Sequence, residues 1–245
     1  MKKIKILTVA LATAALSGVT AMAQLNYNTG DLLVGFGTNS TSSGSYVLAN
    51  LGSIANFQVQ YSSYTWNLSS VLSSTVGTIN NGVYWSVFGV NDNLSNPGSG
   101  IQQESRFTVW NSSSSSSRTV PGDDGFLVQP FTQIITLANS SIAAGTSVSA
   151  GVITAPAGTA DGFNVQMVPN GDVNQTWPYN ITRRGANSVF LLQNDPSNAG
   201  NTAQSLGAFN LSSGGILTFN AVPEPSAWAM LGSGVLAFLA IRRRK

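Results

Sequence analysis

The chain has 245 residues, only 8% of them charged, and a net charge of +2. It contains no histidine and no cysteine, which excludes Ser-His-Asp and Cys-His catalysis and a typical zinc site. Seven of the eleven basic residues lie in the first five and last four positions, so residues 24–221 keep four arginines against eight carboxylates, a net charge of −4. This acidic balance leaves no basic patch for binding nucleic acid.

The N-terminus has the three parts of a secretory signal peptide. Three lysines give a positive start, an apolar run follows, and Ala21-Met22-Ala23 has the small-residue pattern of a cleavage site. We therefore predict that residues 1–23 are removed during export, with Ala21 and Ala23 directing the cut before Gln24. The Sec export machinery is the expected partner for this step. An uncleaved N-terminal anchor is the alternative.

Short β-prone runs separated by Gly, Ser, Asn and Asp turns fill most of residues 24–221, which we predict to form one secreted domain. The run 83–90 is the longest apolar one and predicts a central strand, whereas the alternation in 57–61 predicts a half-buried strand. The predicted strands are 31–36, 45–48, 57–61, 83–90, 106–110, 163–168, 188–192, 204–211 and 215–220. A turn at 211–216 predicts that the last two form a hairpin. This pattern predicts an all-β fold, an antiparallel β-sandwich or a related barrel.

We predict one short helix within this domain. Asn67 is a suitable capping residue, three apolar residues after it fall on one face, and Gly77 can end the helix. Residues 139–150 carry both helical and strand features, so their structure stays open. The six serines at 112–117 predict an exposed, flexible loop.

The last 24 residues, 222–245, form a separate unit. Pro223 and Pro225 fix φ on both sides of Glu224, so we expect this segment to stay extended. Residues 226–241 carry no charge and would span about 24 Å as a helix, which is short for a permanent span of a bilayer core of about 30 Å. Trp228 could extend the span by lying at one interface. We predict a transmembrane helix here, followed by a cytoplasmic membrane stop that consists of Arg242, Arg243, Arg244 and Lys245.

The order of these elements resembles the PEP-CTERM sorting tag. Pro223-Glu224-Pro225, an aromatic residue at Trp228, an apolar helix and a basic end follow one another as in that tag. The resemblance implies an exported protein of a Gram-negative bacterium that exosortase, a membrane-embedded cysteine transpeptidase, cuts near the motif. It implies anchoring in the inner membrane before processing, and then a place at the cell surface or in an extracellular polysaccharide matrix. A plain anchor behind a proline-rich spacer is the alternative.

Residues 24–221 offer little catalytic chemistry. A carboxylate pair for glycoside hydrolysis is the remaining enzymatic possibility, with Glu104, Asp123 and Asp124 as candidates, although the two aspartates also suit a turn. Oxygen-rich segments at 91–93 and 170–174 offer ligands for calcium, but turn composition explains them as well. We therefore predict no catalytic residue, no cofactor and no metal, and a structural or interaction role.

Aromatic residues carry the alternative function, a carbohydrate-binding module on the same export route. Trp177 and Tyr179 lie in a polar segment and are the candidates for binding extracellular polysaccharide. Core packing is the competing explanation for them, and it is the one we expect for Trp85 in the apolar run. Arg183 and Arg184 follow closely, but neighbouring residues of a strand face opposite sides and do not form a joint anion site.

Overall fold

The protein is described here by a computed structural model that covers residues 25, 27–38, 43–59, 61–80, 82–92, 107–117, 125–149, 151–159, 163, 183–195 and 202–221. The predicted signal peptide (1–23) and the predicted tail helix (226–241) lie outside these residues. Within the part described, none of the helices combines the length and the apolar character that crossing a membrane requires.

Eleven described strands pair in one antiparallel sheet that curls like half of a barrel. They are β1 Asp31–Thr38, β2 Ser45–Ser53, β3 Ser63–Asn67, β4 Val83–Asp92, β5 Phe107–Ser113, β6 Thr146–Ser149, β7 Val152–Pro156, β8 Arg183–Arg184, β9 Ser188–Asn194, β10 Gln204–Leu211 and β11 Ile216–Ala221. Their order across the sheet is β3-β11-β10-β9-β5-β4-β1-β2-β7-β6, with β8 also beside β4. The prediction of a mainly antiparallel β body is confirmed. Because the described strands lie in one curled sheet, the barrel-related architecture describes them better than the sandwich.

Strand β4 lies in the middle of the sheet, between β1 and β5, as its apolar sequence predicts. Residues 83–90 are all buried, and successive side chains pack on opposite faces. Trp85 is fully buried, and its Nε1 donates a hydrogen bond of 3.0 Å to the carbonyl oxygen of Gly185. The expectation that Trp85 belongs to the core is confirmed, and its polar nitrogen is satisfied there.

Helix α1, Ser69–Thr75, covers one face of the sheet, which we call the α1 face. Leu72 is buried against this face together with Trp85 and Phe219. Asn67 lies one position before the N-cap residue of the helix, Leu68. Its Oδ1 accepts a hydrogen bond of 3.1 Å from the Ser69 backbone N–H. Gly77 follows the helix with φ of +82°, a conformation that glycine adopts at little cost. The predicted short helix is therefore confirmed.

Helix α2, Gly125–Ala144, covers the opposite face, which we call the α2 face. Its buried residues Ile134, Leu137, Ala138 and Ser141 recur at the spacing of one helical face. The Tyr46 hydroxyl and Ser141 Oγ lie 2.9 Å apart in a buried hydrogen bond between the sheet and this helix. The prediction of a single helix is wrong, because the apolar residues here follow a period of 3.6 rather than 2. The ambiguous residues 139–150 divide between the end of α2 and strand β6.

The strand predicted at 57–61 is a second error. Phe57 follows a 3₁₀ turn, Ile54–Asn56, and its ring packs edge-on against Phe219 at 5.0 Å between centroids. Tyr61 has φ of +61°, which is incompatible with a strand, and is 68% exposed. The alternation of residue types in this segment therefore does not reflect alternation between an inner and an outer face.

The serine run divides into a buried and an exposed part. Ser112 and Ser113 belong to β5 and are buried, with Ser112 Oγ accepting a hydrogen bond of 3.1 Å from the Val87 N–H. Residues 114–117 are exposed. The exposed-loop prediction is therefore wrong for the first two serines, because a buried hydroxyl can complete a hydrogen bond inside a sheet. Of the predicted strand 163–168, only Phe163 is described, and it is not in a strand.

The first and the last long strands, β1 and β11, place the N-terminal and C-terminal limits of the sheet at the same end of it. The strand registers connect them in the steps Leu32↔Gly89, Asp92↔Phe107, Val109↔Asn194, Gln193↔Gln204 and Gly207↔Ala221. Because every step is antiparallel, the start of β1 and the end of β11 lie at the same end of the sheet, which we call the tail end. The opposite end, where β1 ends at Thr38 and β11 begins at Ile216, is called the far end.

Candidate functional site

The junction between the sheet and the C-terminal tail is the first candidate site. The last residue of β11 is Ala221, and the Pro-Glu-Pro motif begins at Pro223. The sequence thus leaves one residue, Val222, between them. Domain and tail are therefore joined without a separate linker.

Strand β11 is an internal strand, held on both sides. It pairs with β10 over Leu211↔Leu217 to Gly207↔Ala221, and with β3 over Asn67↔Ile216 to Ser63↔Asn220. At its last residue the Ala221 N–H donates a hydrogen bond of 3.0 Å to the carbonyl oxygen of Ser62. One residue earlier, Asn220 Oδ1 accepts a bond of 3.0 Å from Ser63 Oγ. The sheet holds the chain as far as the residue before Val222.

Five aromatic rings hold β11 on the α1 face. Phe209 and Phe219 lie 4.8 Å apart between centroids, and Phe57 lies 5.9 Å from Phe209. Trp66 stacks on Phe57 at 6.0 Å, and Tyr64 lies 5.9 Å from Trp66. Such contacts add to the burial of the rings themselves. The end of β11 is consequently anchored by side chains as well as by its two ladders.

An open cavity of about 370 Å³ lies at the far end. Its walls come from α1 with the residues after it and from the β10–β11 turn: Ser69, Ser70, Leu72, Ser73, Gly77, Thr78, Ile79, Ser213, Gly214 and Gly215. Gly215 has φ of +79°, and a Cβ there would lie 2.8 Å from the Ser69 Cα, so the turn approaches α1 this closely because the residue is glycine. The lining is uncharged and offers hydroxyl groups around an apolar base. Its size is within the range of small-ligand sites. Sequence reasoning missed this cavity, although its two halves were the predicted helix and the predicted hairpin turn.

The N-terminal segment is tied to the tail end by a buried carboxylate. Asp31 Oδ2 accepts hydrogen bonds from the Asn28 N–H at 3.0 Å and from Asn50 Nδ2 at 2.9 Å. Burial, and secondarily the charge of Asp31, raises the pKa of Tyr27 well above its ordinary value of 10. Leu25, the first residue that the structure describes, is 2% exposed. These contacts stabilise the segment at the start of β1.

The predicted site residues lie mostly outside the described part of the chain. This applies to Ala21, Ala23 and Gln24, to Pro223, Glu224 and Pro225, to Arg242, Arg243, Arg244 and Lys245, and to Trp177 and Tyr179. It also applies to the candidate acids Glu104, Asp123 and Asp124 and to the oxygen-rich segment 170–174. Asn91 and Asp92 belong to β4 rather than to a loop. The described residues contain no cluster of three or more residues of the types His, Cys, Asp and Glu that suits a metal ion.

Comparison with known proteins decides the nature of the tail. Residues 221–245 match the PEP-CTERM protein-sorting motif. The PEP-CTERM motif indicates exosortase-dependent export, with membrane-associated sorting to the cell surface and processing by exosortase, a membrane protein. The recognition made from the tail residues is confirmed. No curated protein and no solved structure matches the chain significantly.

Proposed function

We propose that this chain is a non-enzymatic structural or interaction protein of the bacterial surface or extracellular matrix. It is exported with a cleaved signal peptide, held in the inner membrane by its tail helix, and released from that helix by exosortase. The observation that carries this proposal is the direct junction of a folded sheet with a PEP-CTERM tail at Ala221. Both ends of the sheet domain, at Asp31 and Ala221, lie at the tail end, which supports display of the far end away from the membrane.

Composition supports a passive role for the domain. The sequence has no histidine or cysteine, and residues 24–221 have no lysine, so a Cys or Lys nucleophile and a His or Lys base for activating serine are unavailable. Low charge and many hydroxyl and amide side chains suit contacts with neutral, hydrated polymers. A matrix protein needs a stable, soluble body more than it needs a reactive site.

A carbohydrate-binding role on the same route is the second candidate. The cavity at the far end supports it, because hydroxyl groups around Leu72 and Ile79 suit a neutral ligand with both hydroxyl and C–H surfaces. Trp177 and Tyr179 are the other candidate contacts. Binding of the processed protein to neutral polysaccharides of its host matrix, measured by pull-down, should weaken in Ser70→Trp, which fills the cavity, or in Trp177→Ala. A protein that binds none of these polysaccharides would remove this candidate.

The main proposal is tested by intact mass and terminal peptides of the protein from its native host. We expect the chain to start at Gln24 and to end near Pro225. Pro223→Ala combined with Pro225→Ala should leave the tail attached, whereas Ser226→Ala, just outside the motif, is the matched control. A chain that keeps residues through Lys245 would show a plain membrane anchor and would overturn the proposal.

A further inference from the structure

The match to the sorting motif begins at Ala221, which is also the last residue of an internal strand. A strand at the edge of a sheet is paired on one side only, so it detaches at a lower cost than a strand paired on both sides. Strand β11 instead lies between β10 and β3, and its Leu217 and Phe219 side chains are fully buried. The residues just before Pro-Glu-Pro are therefore unavailable to a peptidase while the sheet is complete.

The chain between the sheet and the motif is short. From Ala221 to Pro225 there are four Cα steps, which reach at most about 14 Å when extended. A peptidase binds its substrate in an extended form over several residues on each side of the bond that it cuts. With β11 paired, it finds three residues, Val222, Pro223 and Glu224, before Pro225. A peptidase whose substrate cleft also binds Asn220 and Ala221 can bind them only after they leave the sheet.

We propose that pairing of the end of β11 limits processing of the tail: exosortase cuts on the C-terminal side of Glu224, and it does so faster when Asn220 and Ala221 are released from β10 and β3. This inference rests on the proposed function and specifies how the same tail is regulated. In the cut itself, the peptide C–N bond breaks, the acyl group passes to the enzyme's nucleophile and then to water or an acceptor amine, and the downstream amine leaves with a proton. The sheet affects only access to that bond.

The contacts at the strand end define the size of the effect. Release of the last two residues breaks the bond from the Ala221 N–H to Ser62, the bond between Asn220 and Ser63, and the pairing of Ala221 with Gly207. Each such bond contributes modestly to stability, so together they lower the population of the released form by about tenfold or more. A substrate that does not need this release should be cut faster by the same factor.

The experiment inserts Gly-Ser-Gly-Ser-Gly-Ser between Ala221 and Val222 of the full chain and follows loss of the tail in pulse-chase labelling in the native host. We expect cutting about tenfold faster than in the unaltered chain. The same insert between Ser115 and Ser116, in the exposed part of the serine run, is the matched control and should change nothing. Equal rates for the unaltered chain and the chain with the junction insert would overturn the proposal.

A second pair of variants separates access from folding. Ser63→Ala removes the side-chain bond to Asn220 at the strand end but no buried ring, and we expect it to raise the rate about twofold to fivefold. Added to the junction insert, it should have no further effect. A C-terminus of the processed protein upstream of Glu224 would also overturn the proposal. If no chain loses its tail, with or without the insert, the proposed function itself fails, which is a different result from equal rates.

Discussion

Gly35 and Phe163 provide a sharp test of how the α2 face is packed. Gly35 lies in β1 with the Phe163 ring directly over it, and a Cβ added at Gly35 would lie within 2.8 Å of three ring carbons. Ordinary carbon contacts are about 3.5–4.0 Å, so the ring would have to move. Phe163 is fully buried between Tyr46 and Phe88, with ring centroids at 6.4 and 6.3 Å. Among the described residues, these two flanking rings oppose that movement.

Gly35→Ala should therefore destabilise the protein. Overpacking of this kind costs about 1–3 kcal/mol, and the very close approach of the added Cβ to the ring places this site at the upper end of that range. The better strand propensity of alanine returns about 0.5–1 kcal/mol. We expect a net loss of about 2 kcal/mol, or a melting temperature lower by about 4–8 °C for a domain of this size. Gly214→Ala is the matched control, because its added Cβ meets nothing closer than 3.8 Å. It should change stability by less than about 0.5 kcal/mol.

The assay is a double-mutant cycle in urea, followed by the fluorescence of the five tryptophans. Phe163→Ala alone should cost about 3–5 kcal/mol by leaving a cavity. In that background the added methyl of Gly35→Ala has space, so its cost should vanish and the coupling should reach about −2 kcal/mol. Additive effects, or a neutral Gly35→Ala in the unaltered protein, would refute the placement of Phe163 over β1.

Three further predictions test other parts of the sheet. Tyr46→Phe removes the buried hydrogen bond to Ser141 and leaves that hydroxyl unpaired, so it should cost about 1–2 kcal/mol in urea unfolding, whereas Tyr61→Phe at an exposed site should be neutral. Asn194→Ala removes the amide that donates to the carbonyl oxygen of Val109 and to Asn111 Oδ1, and should cost about 2 kcal/mol; no loss would mean that water or another group satisfies these acceptors. Burial raises the pKa of Tyr27 and of Tyr46 in the folded state, so the stability linked to both groups is present below pH 10 and is lost as the pH rises through their folded-state values. Titration followed at 295 nm should show that Tyr27 and Tyr46 ionise at a higher pH than a free tyrosine, and ionisation of both near pH 10 would contradict this.

The strands were predictable where burial and residue type agree. The segments 31–36, 83–90 and 204–211 are apolar or alternating and lie in the interior of the sheet, so the periodicity reports their environment directly. Strands β3 and β7 were missed, and β6 lies in the segment that was left open. Strands β3 and β6 lie at the two edges of the described sheet and carry mostly exposed residues, while β7 is only five residues long. The local pattern of an edge strand contains little evidence for pairing, because its partner is elsewhere in the sequence.

The candidate sites divide in the same way. The sorting tail could be recognised because its features are contiguous in the sequence: two prolines, an apolar run and a basic end follow one another along the chain. The cavity at the far end could not, because it depends on Gly215 of the last hairpin approaching Ser69, which lies about 150 residues earlier. The errors in the serine run have a similar origin, because Ser112 is buried where β5 pairs with neighbouring strands that are distant in sequence, and its hydroxyl accepts a hydrogen bond from Val87 of one of them.

The position of β3 explains why the last strand matters beyond the junction. Among the described residues, β3 has one strand partner, β11, and its Tyr64 and Trp66 rings pack against Phe219, Phe209 and Phe57. In a chain that is exported from its N-terminus, β3 emerges about 150 residues before this partner, so its edge and its aromatic rings stay uncovered until β11 arrives. A tail that holds the end of β11 at the membrane keeps this partner close to the rest of the sheet while the sheet is completed. If cutting depends on release of the end of β11, exosortase would then process each chain only as fast as the strand end opens in the completed sheet.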